Sequence, residues 1–226
     1  GTGHSINIED GPGTNRNFYN LHKTNNKSIT LSNDIEIEND LVVTSNGEIN
    51  AQSYDITIGG DWSINKTSNF NSGSGKVTFA GSTPQTIDGS ANFNALIISS
   101  PDVSLLDNTN IANTLRINSG GSLDVNGKNL IASTLVNGGN LQLSGSETLV
   151  ISTNDIDSGT ITYDGTATGL NYGNIYHNLT INTYGTMTLD DNLDVDGNLT
   201  IANGTLDVSG NNYSINVAGN WINNDS

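Results

Sequence analysis

The chain contains no cysteine, which removes disulfides, thiolate catalysis and zinc–thiolate sites together. Proline is nearly missing, with three in the chain, and arginine is represented by Arg16 and Arg116 alone. Long hydrophobic runs are also lacking: the longest spans the four residues Ala95 to Ile98, whereas a bilayer-crossing helix needs roughly 20. There is no basic start followed by an apolar run, as a signal peptide would have, and Gly1 stands in place of an initiator Met. The 226 residues therefore read as an excerpt of a longer chain. Positive charge is scarce, with seven Lys and Arg against 23 Asp and Glu and a net charge of −16. Such a surface repels phosphate backbones and anionic lipids, so neither nucleic acid nor membrane insertion is expected.

What is abundant is Gly, at 26 residues, and above all Asn, at 37. Both suit tight corners: each tolerates positive φ, and an Asn side chain can bond nearby backbone groups or stack on Asn in a neighbouring layer. Between these residues the pattern is alternation. "LDVDGNLTI" (193 to 201) puts Leu193 and Val195 on one face and restarts at Leu199 and Ile201, and "IEIENDLVV" (35 to 43) reads the same way. Short β-branched runs bounded by Asn, Gly, Asp and Ser are strands joined by turns, with little helical periodicity anywhere.

The sequence also repeats itself. "FYNLHKTNNKSITL" (18 to 31), "FNALIISSPDVSLL" (93 to 106) and "YHNLTINTYGTMTL" (176 to 189) align without a gap, keeping an aromatic first, Leu fourth and Leu last. Upstream lie "SINIEDG" (5 to 11), "KVTFAG" (76 to 81) and "TITYDG" (160 to 165), and downstream "GGDW" (59 to 62) and "AGNW" (218 to 221). Three degenerate repeats result, about 5–75, 76–159 and 160–226, of which the middle one lacks the Trp. A shorter period, about 20 to 22 residues, runs inside them: Ile35 to Ile56, Leu41 to Trp62, Leu115 to Leu135, Leu193 to Ile215 and Leu199 to Trp221. That is the length of one β-solenoid coil. Ordering the backbone of one such coil costs more than its few inward side chains return, so coils fold only when stacked. About ten or eleven coils, at roughly 4.8 Å each, make a rod about 50 Å long.

Chemical sites are thinly supported. The three histidines, His4, His22 and His177, share neither a repeat position nor a metal-ligand spacing, and no G-x-S-x-G elbow occurs. Arg116, between Leu115 and Ile117, points outward from an alternating strand. Recurring aromatics (Phe18, Phe93 and Tyr176; Trp62 and Trp221; Phe79 and Tyr163) read as core or corner packing. The one repeated polar feature pairs Glu36 with Asp194, Glu38 with Asp196 and Asp40 with Asn198. If stacking brings acids of adjacent coils together, Asp194, Asp196 and Asn198 form a candidate Ca²⁺ site; no other metal and no cofactor is called for.

The order "VTF.G", "F..L.I", "L.V.G.L.I..G.L.V", "G.W.N" resembles the repeats of very large secreted bacterial surface proteins of the haemagglutinin-like and autotransporter-like β-solenoid kind. The resemblance covers nearly the whole chain. It implies a right-handed parallel β-helix, export to the cell surface, and a part in adhesion or surface architecture, with no enzymatic residues to carry over. The expectation is an all-β, right-handed parallel β-solenoid with coils of about 20 to 22 residues. Its function is that of a non-enzymatic stalk, adhesin or filament building block, stacking end to end on neighbouring repeats or subunits and meeting a cell-surface glycan or protein receptor. The rivals are a polysaccharide-binding or polysaccharide-degrading β-helix, a pair of β-sandwich domains, which would show no such short period, and an ice-binding helix, against which the pairs Thr160/Thr162 and Thr186/Thr188 do not recur at coil spacing.

Overall fold

In the computed structural model, which describes residues 4–6, 17–65, 69–89, 91–208 and 210–225, every strand pairing is parallel and no strand is part of a hairpin. The chain is an all-β solenoid of about ten turns, with no α-helix among the described residues. Parallel pairing throughout removes the β-sandwich alternative, whose sheets are antiparallel.

The longest wall is a sheet of eleven strands. It runs through β3 (Leu21–Lys23), β6 (Leu41–Val43), β9 (Trp62–Ile64), β12 (Gln85–Asp88), β15 (Val103–Leu105) and β17 (Ser122–Asp124). It continues through β19 (Asn140–Leu143), β21 (Thr160–Gly165), β23 (Asn178–Thr188), β25 (Leu199–Asp207) and β27 (Trp221–Asn223). A second wall, of nine strands, starts at β2 (Asn17–Phe18) and passes through β5 (Ile35–Ile37), β8 (Ile56–Ile58), β11 (Lys76–Phe79) and β14 (Ala95–Ile98). It reaches the long β16 (Thr109–Ile117), which also takes β13 (Ala91–Phe93), and ends with β18 (Leu130–Asn137) and β20 (Leu149–Thr153). Shorter sheets complete the third side. One near the start has four strands, β1 (His4–Ile6), β4 (Ile29–Leu31), β7 (Ile49–Asn50) and β10 (Phe70–Asn71). One near the end has three, β22 (Ile175–Tyr176), β24 (Leu193–Val195) and β26 (Ile215–Val217).

The register reproduces the short period read from the sequence. Ile35 stacks on Ile56, Leu41 on Trp62, Leu115 on Leu135, Leu193 on Ile215 and Leu199 on Trp221. Alternate residues point inward, so Leu179, Val195 and Leu199 are fully buried in one continuous core, and Ile201 is nearly fully buried. Coil length varies more than the sequence suggested. Leu123 stacks on Leu141 and Ile161 on Leu179, both short steps, whereas Trp62 stacks on Ile87 across the longest coil of this wall. The longer coil places Phe70 inside, where its ring meets Trp62 edge-on at 4.7 Å and lies beside Phe93 at 5.9 Å.

The three long repeats do not occupy equivalent places. Leu21 and Leu179 lie in the eleven-stranded wall, but Leu96, aligned with them, lies in the nine-stranded one. Phe79 and Tyr163, both fully buried, are divided in the same way. The final leucine of the repeat is buried at Leu31 and Leu189, whereas Leu106 is 41% exposed. With Val103 and Leu105 inward, the two-residue alternation leaves Leu106 no inward position, so the ungapped alignment is one residue out there.

Leu199→Asp leaves an uncompensated charge between two coils and should cost roughly 3–5 kcal/mol. Asn198→Asp, one residue earlier on the surface, should leave Tm within a few degrees of wild type. Thermal melts followed by circular dichroism check both; equal Tm values for the two variants would contradict the inward register.

Candidate functional site

The residues with the most regular arrangement are the Asn and Asp that immediately precede the strands. Asn20 Oδ1 accepts from the backbone N–H of Asp40 (3.0 Å), Asp40 Oδ1 from that of Asp61 (2.9 Å), and Asp61 Oδ1 from that of Thr86 (2.7 Å). Similar columns run Asp34–Asp55–Lys76, Asn108–Asn129–Thr148 and Asn178–Asn198–Asn220. The main chain answers in the other direction: Leu21, Thr109, Leu179 and Leu199 donate their N–H to the carbonyls of Asp40, Asn129, Asn198 and Asn220 in the next coil. Each corner is closed by one backbone and one side-chain hydrogen bond, so few of these asparagines need an unusual backbone. Among the described non-glycine residues only Gln52, Asn126 and Asn212 have positive φ. Where Gln52 turns at φ 56°, Gly73 follows one coil later at φ 53°, and a Cβ there would lie 1.5 Å from the Gln52 carbonyl oxygen.

The repeated acids sit on this lattice. Glu36 is flanked in register by Asn17 and Thr57, and Asp194 by Ile175 and Asn216, so the coils on either side of each carboxylate present neutral residues. Asp194 Oδ1 accepts from Asn216 Nδ2 at 2.8 Å, Asp196 is exposed, and Asn198 Oδ1 is occupied by the Asn220 N–H. The arrangement that suggested Ca²⁺, with acids of adjacent coils side by side, is not formed at Asp194, and among the described residues no three His, Cys, Asp or Glu gather as metal ligands would. His22 is exposed, His177 half-buried, His4 lies in the first strand, and Arg16 lies outside the described residues. Arg116 points outward, as the alternation requires.

Several buried polar groups gave no sequence signal. Lys23 occupies an inward position, its ammonium hydrogen-bonded to the Asn25 carbonyl and 3.3 Å from Ser45 Oγ; burial pushes its pKa down. Gln85 replaces a core aliphatic and satisfies itself on the Gly60 carbonyl (2.6 Å) and the Gly81 N–H (3.0 Å). Glu147 is 5% exposed and accepts from the N–H (2.8 Å) and hydroxyl (3.2 Å) of Ser144. Near it, burial raises the pKa of Asp124 and of Asp164, with the charge of Glu147 adding to both. Asp55 behaves oppositely: burial opposes its ionisation, but the hydrogen bonds and charge of Lys76 outweigh that and hold it below the usual range. Tyr163, Tyr172 and Tyr176 share a buried network in which the Tyr163 hydroxyl accepts from the Tyr172 N–H at 2.8 Å, and burial lifts Tyr163 to about 12.

No family model, no curated protein and no solved structure matches the chain. One outward row was missed by the spacing rule: Thr162, Thr180 and Thr200 stack in consecutive coils, at unequal steps along the sequence.

For Asp124 and Asp164 the fold favours the protonated form. The associated stability is present below the ordinary carboxylate pKa and lost as pH rises through the raised folded value. Asp124→Asn with Asp164→Asn should raise Tm at pH 7 by about 1–2 °C and lose that advantage near pH 3. Calorimetric titration with Ca²⁺ should give no saturable heat; saturable heat abolished by Asp194→Asn/Asp196→Asn would restore the calcium site.

Proposed function

We propose that the chain is a non-catalytic, surface-displayed β-solenoid, a stalk or adhesive building block of the kind that large secreted bacterial surface proteins carry. The observation that supports this reading is where the recurring residues go. Trp62, Phe79, Phe93, Tyr163 and Tyr176 are all inside, and the recurring Asn and Asp accept main-chain N–H groups at the corners, so the recurring aromatics and corner residues serve stacking. Lyase cleavage of a polysaccharide on such a fold needs a base beside a carboxylate cluster that holds a divalent ion. The outward Arg116 has hydrophobic register neighbours, Ile97 and Val136, which give it no carboxylate to work with.

The end-to-end stacking in this reading is supported by the last strand of the wall. Trp221 stands at the repeat position of Trp62, yet it is 52% exposed, and its neighbour Ile222 is 40% exposed, where Trp62 is covered by Ile87, Phe70 and Phe93. A further coil laid on β27 would pair its free edge and cover Trp221, as Ile87 in the next coil covers Trp62.

Sedimentation velocity between 1 and 500 µM should show association that Trp221→Lys weakens at least tenfold. Incubation with neutral and acidic polysaccharides should release no new reducing ends. Turnover above buffer, abolished by a point substitution in the chain, would overturn the non-catalytic reading.

A further inference from the structure

The chain's negative charge is unevenly spread. In the nine-stranded wall, the segments 91–98, 109–118, 130–137 and 149–153 contain no Asp or Glu, although the chain has 23. On this acid-free face lies a shallow groove of about 280 Å³, at the small end of ligand-sized clefts. Its lining is uncharged: four asparagines (Asn92, Asn108, Asn110 and Asn129) surround Ile131, with Ala91 and Thr109 behind. Asp107 and Lys128 precede two of these asparagines but do not line the groove. Ile131 is 45% exposed and stacks in register on Val150, itself 49% exposed, so an apolar strip runs from the groove along the axis.

The corner hydrogen bonds fix what the asparagines offer. Asn108 Oδ1 accepts from the Asn129 N–H at 2.9 Å, and Asn129 Oδ1 from the Thr148 N–H at 3.0 Å. Only the oxygen of an amide accepts, so each Nδ2 must face the other way, where it has no partner among the described residues. Two –NH₂ groups, one coil or roughly 4.8 Å apart, are thereby held as donors without cost in side-chain ordering on binding. Asn110 Nδ2 donates to Asn92 Oδ1 at 3.4 Å, which leaves Asn110 Oδ1 as an acceptor and Asn92 Nδ2 as a further donor.

We infer that this groove is a binding site for a neutral polysaccharide. A sugar unit supplies the hydroxyl oxygens the fixed amides need and an apolar C–H face for Ile131, and a polymer continues along the strip toward Val150. A cationic ligand finds no carboxylate in the groove, and an anionic one must approach a chain of net charge −16 without a Lys or Arg in the lining to receive it. The inference deepens the adhesive part of the proposed function by giving it a ligand class and an address. It does not depend on end-to-end stacking, which is read by sedimentation.

Affinity gel electrophoresis in dextran, mannan, laminarin, xylan and amylose, with polygalacturonate as the charged comparator, tests the site. The chain should be retarded by at least one neutral polymer more than by polygalacturonate. Asn108→Asp/Asn129→Asp keeps both corner acceptors, as Asp40 and Asp61 do elsewhere, but replaces the outward donors with carboxylate oxygens. It should weaken binding about tenfold or more while leaving Tm unchanged; Asn198→Asp, the same change at a corner away from the groove, should leave binding unaltered. A folded wild-type chain retarded by none of the neutral polymers would overturn the inference. So would a double variant that binds as tightly as wild type, or stronger retardation in polygalacturonate.

Discussion

The hydrogen bond from a main-chain N–H to the side-chain oxygen of the Asn or Asp one coil earlier is the contact on which the rest depends. Strands of two or three residues form only one or two ladder bonds each, too few to fix register alone. The corner acceptor extends the ladder past the end of the strand and sets which residue sits above which. Once Asn178, Asn198 and Asn220 are in column, Leu179, Leu199 and Trp221 must be in column too. Core, register and surface rows all follow from that alignment.

The same bond explains the composition. Asp and Asn are interchangeable as acceptors, which is why Asp40 and Asp61 continue the column begun by Asn20. They differ in charge and in the group turned outward. A corner of Asp adds to the repulsion that keeps rods apart, and a corner of Asn presents an amide. The choice between them along the chain writes the surface without disturbing the interior, and the acid-free stretch of the nine-stranded wall is where that choice is consistently neutral.

Much of this was legible in the sequence, for a physical reason: alternation and a recurring coil length are imposed by stacking itself, so Ile35 on Ile56 and Leu199 on Trp221 could be read directly. The illegible parts are those where coil length departs from the mean. A short step between Thr162 and Thr180 hid the row that Thr200 continues, and the long coil after Trp62 gave no sign that Phe70 would enter the core. Leu106 was misplaced because an ungapped alignment cannot register a one-residue slip, which in a strand reverses the side chain. Lys23 and Glu147 were unreadable because their burial depends on backbone carbonyls and hydroxyls at corners, and those are identified only once the coils are stacked. The recurrence of the acids was readable, but their neighbours across the coils were not: stacking set Asn17 and Thr57 beside Glu36, and Asn216 beside Asp194, instead of like charges.

Because every strand lies across the rod and pairs only with the coils before and after it, a pull along the axis loads the hydrogen bonds of one coil at a time, as in a zipper, and not all coils together. Each coil that lets go trades about 4.8 Å of rod for roughly 20 residues of extended chain, about 65–70 Å. The molecule is therefore stiff while intact and lengthens more than tenfold per coil released. Two blocks of large rings, Trp62 with Phe70 and Phe93, and Tyr163 with Tyr172 and Tyr176, tie successive coils more firmly than aliphatic layers do, and they mark where such peeling would pause.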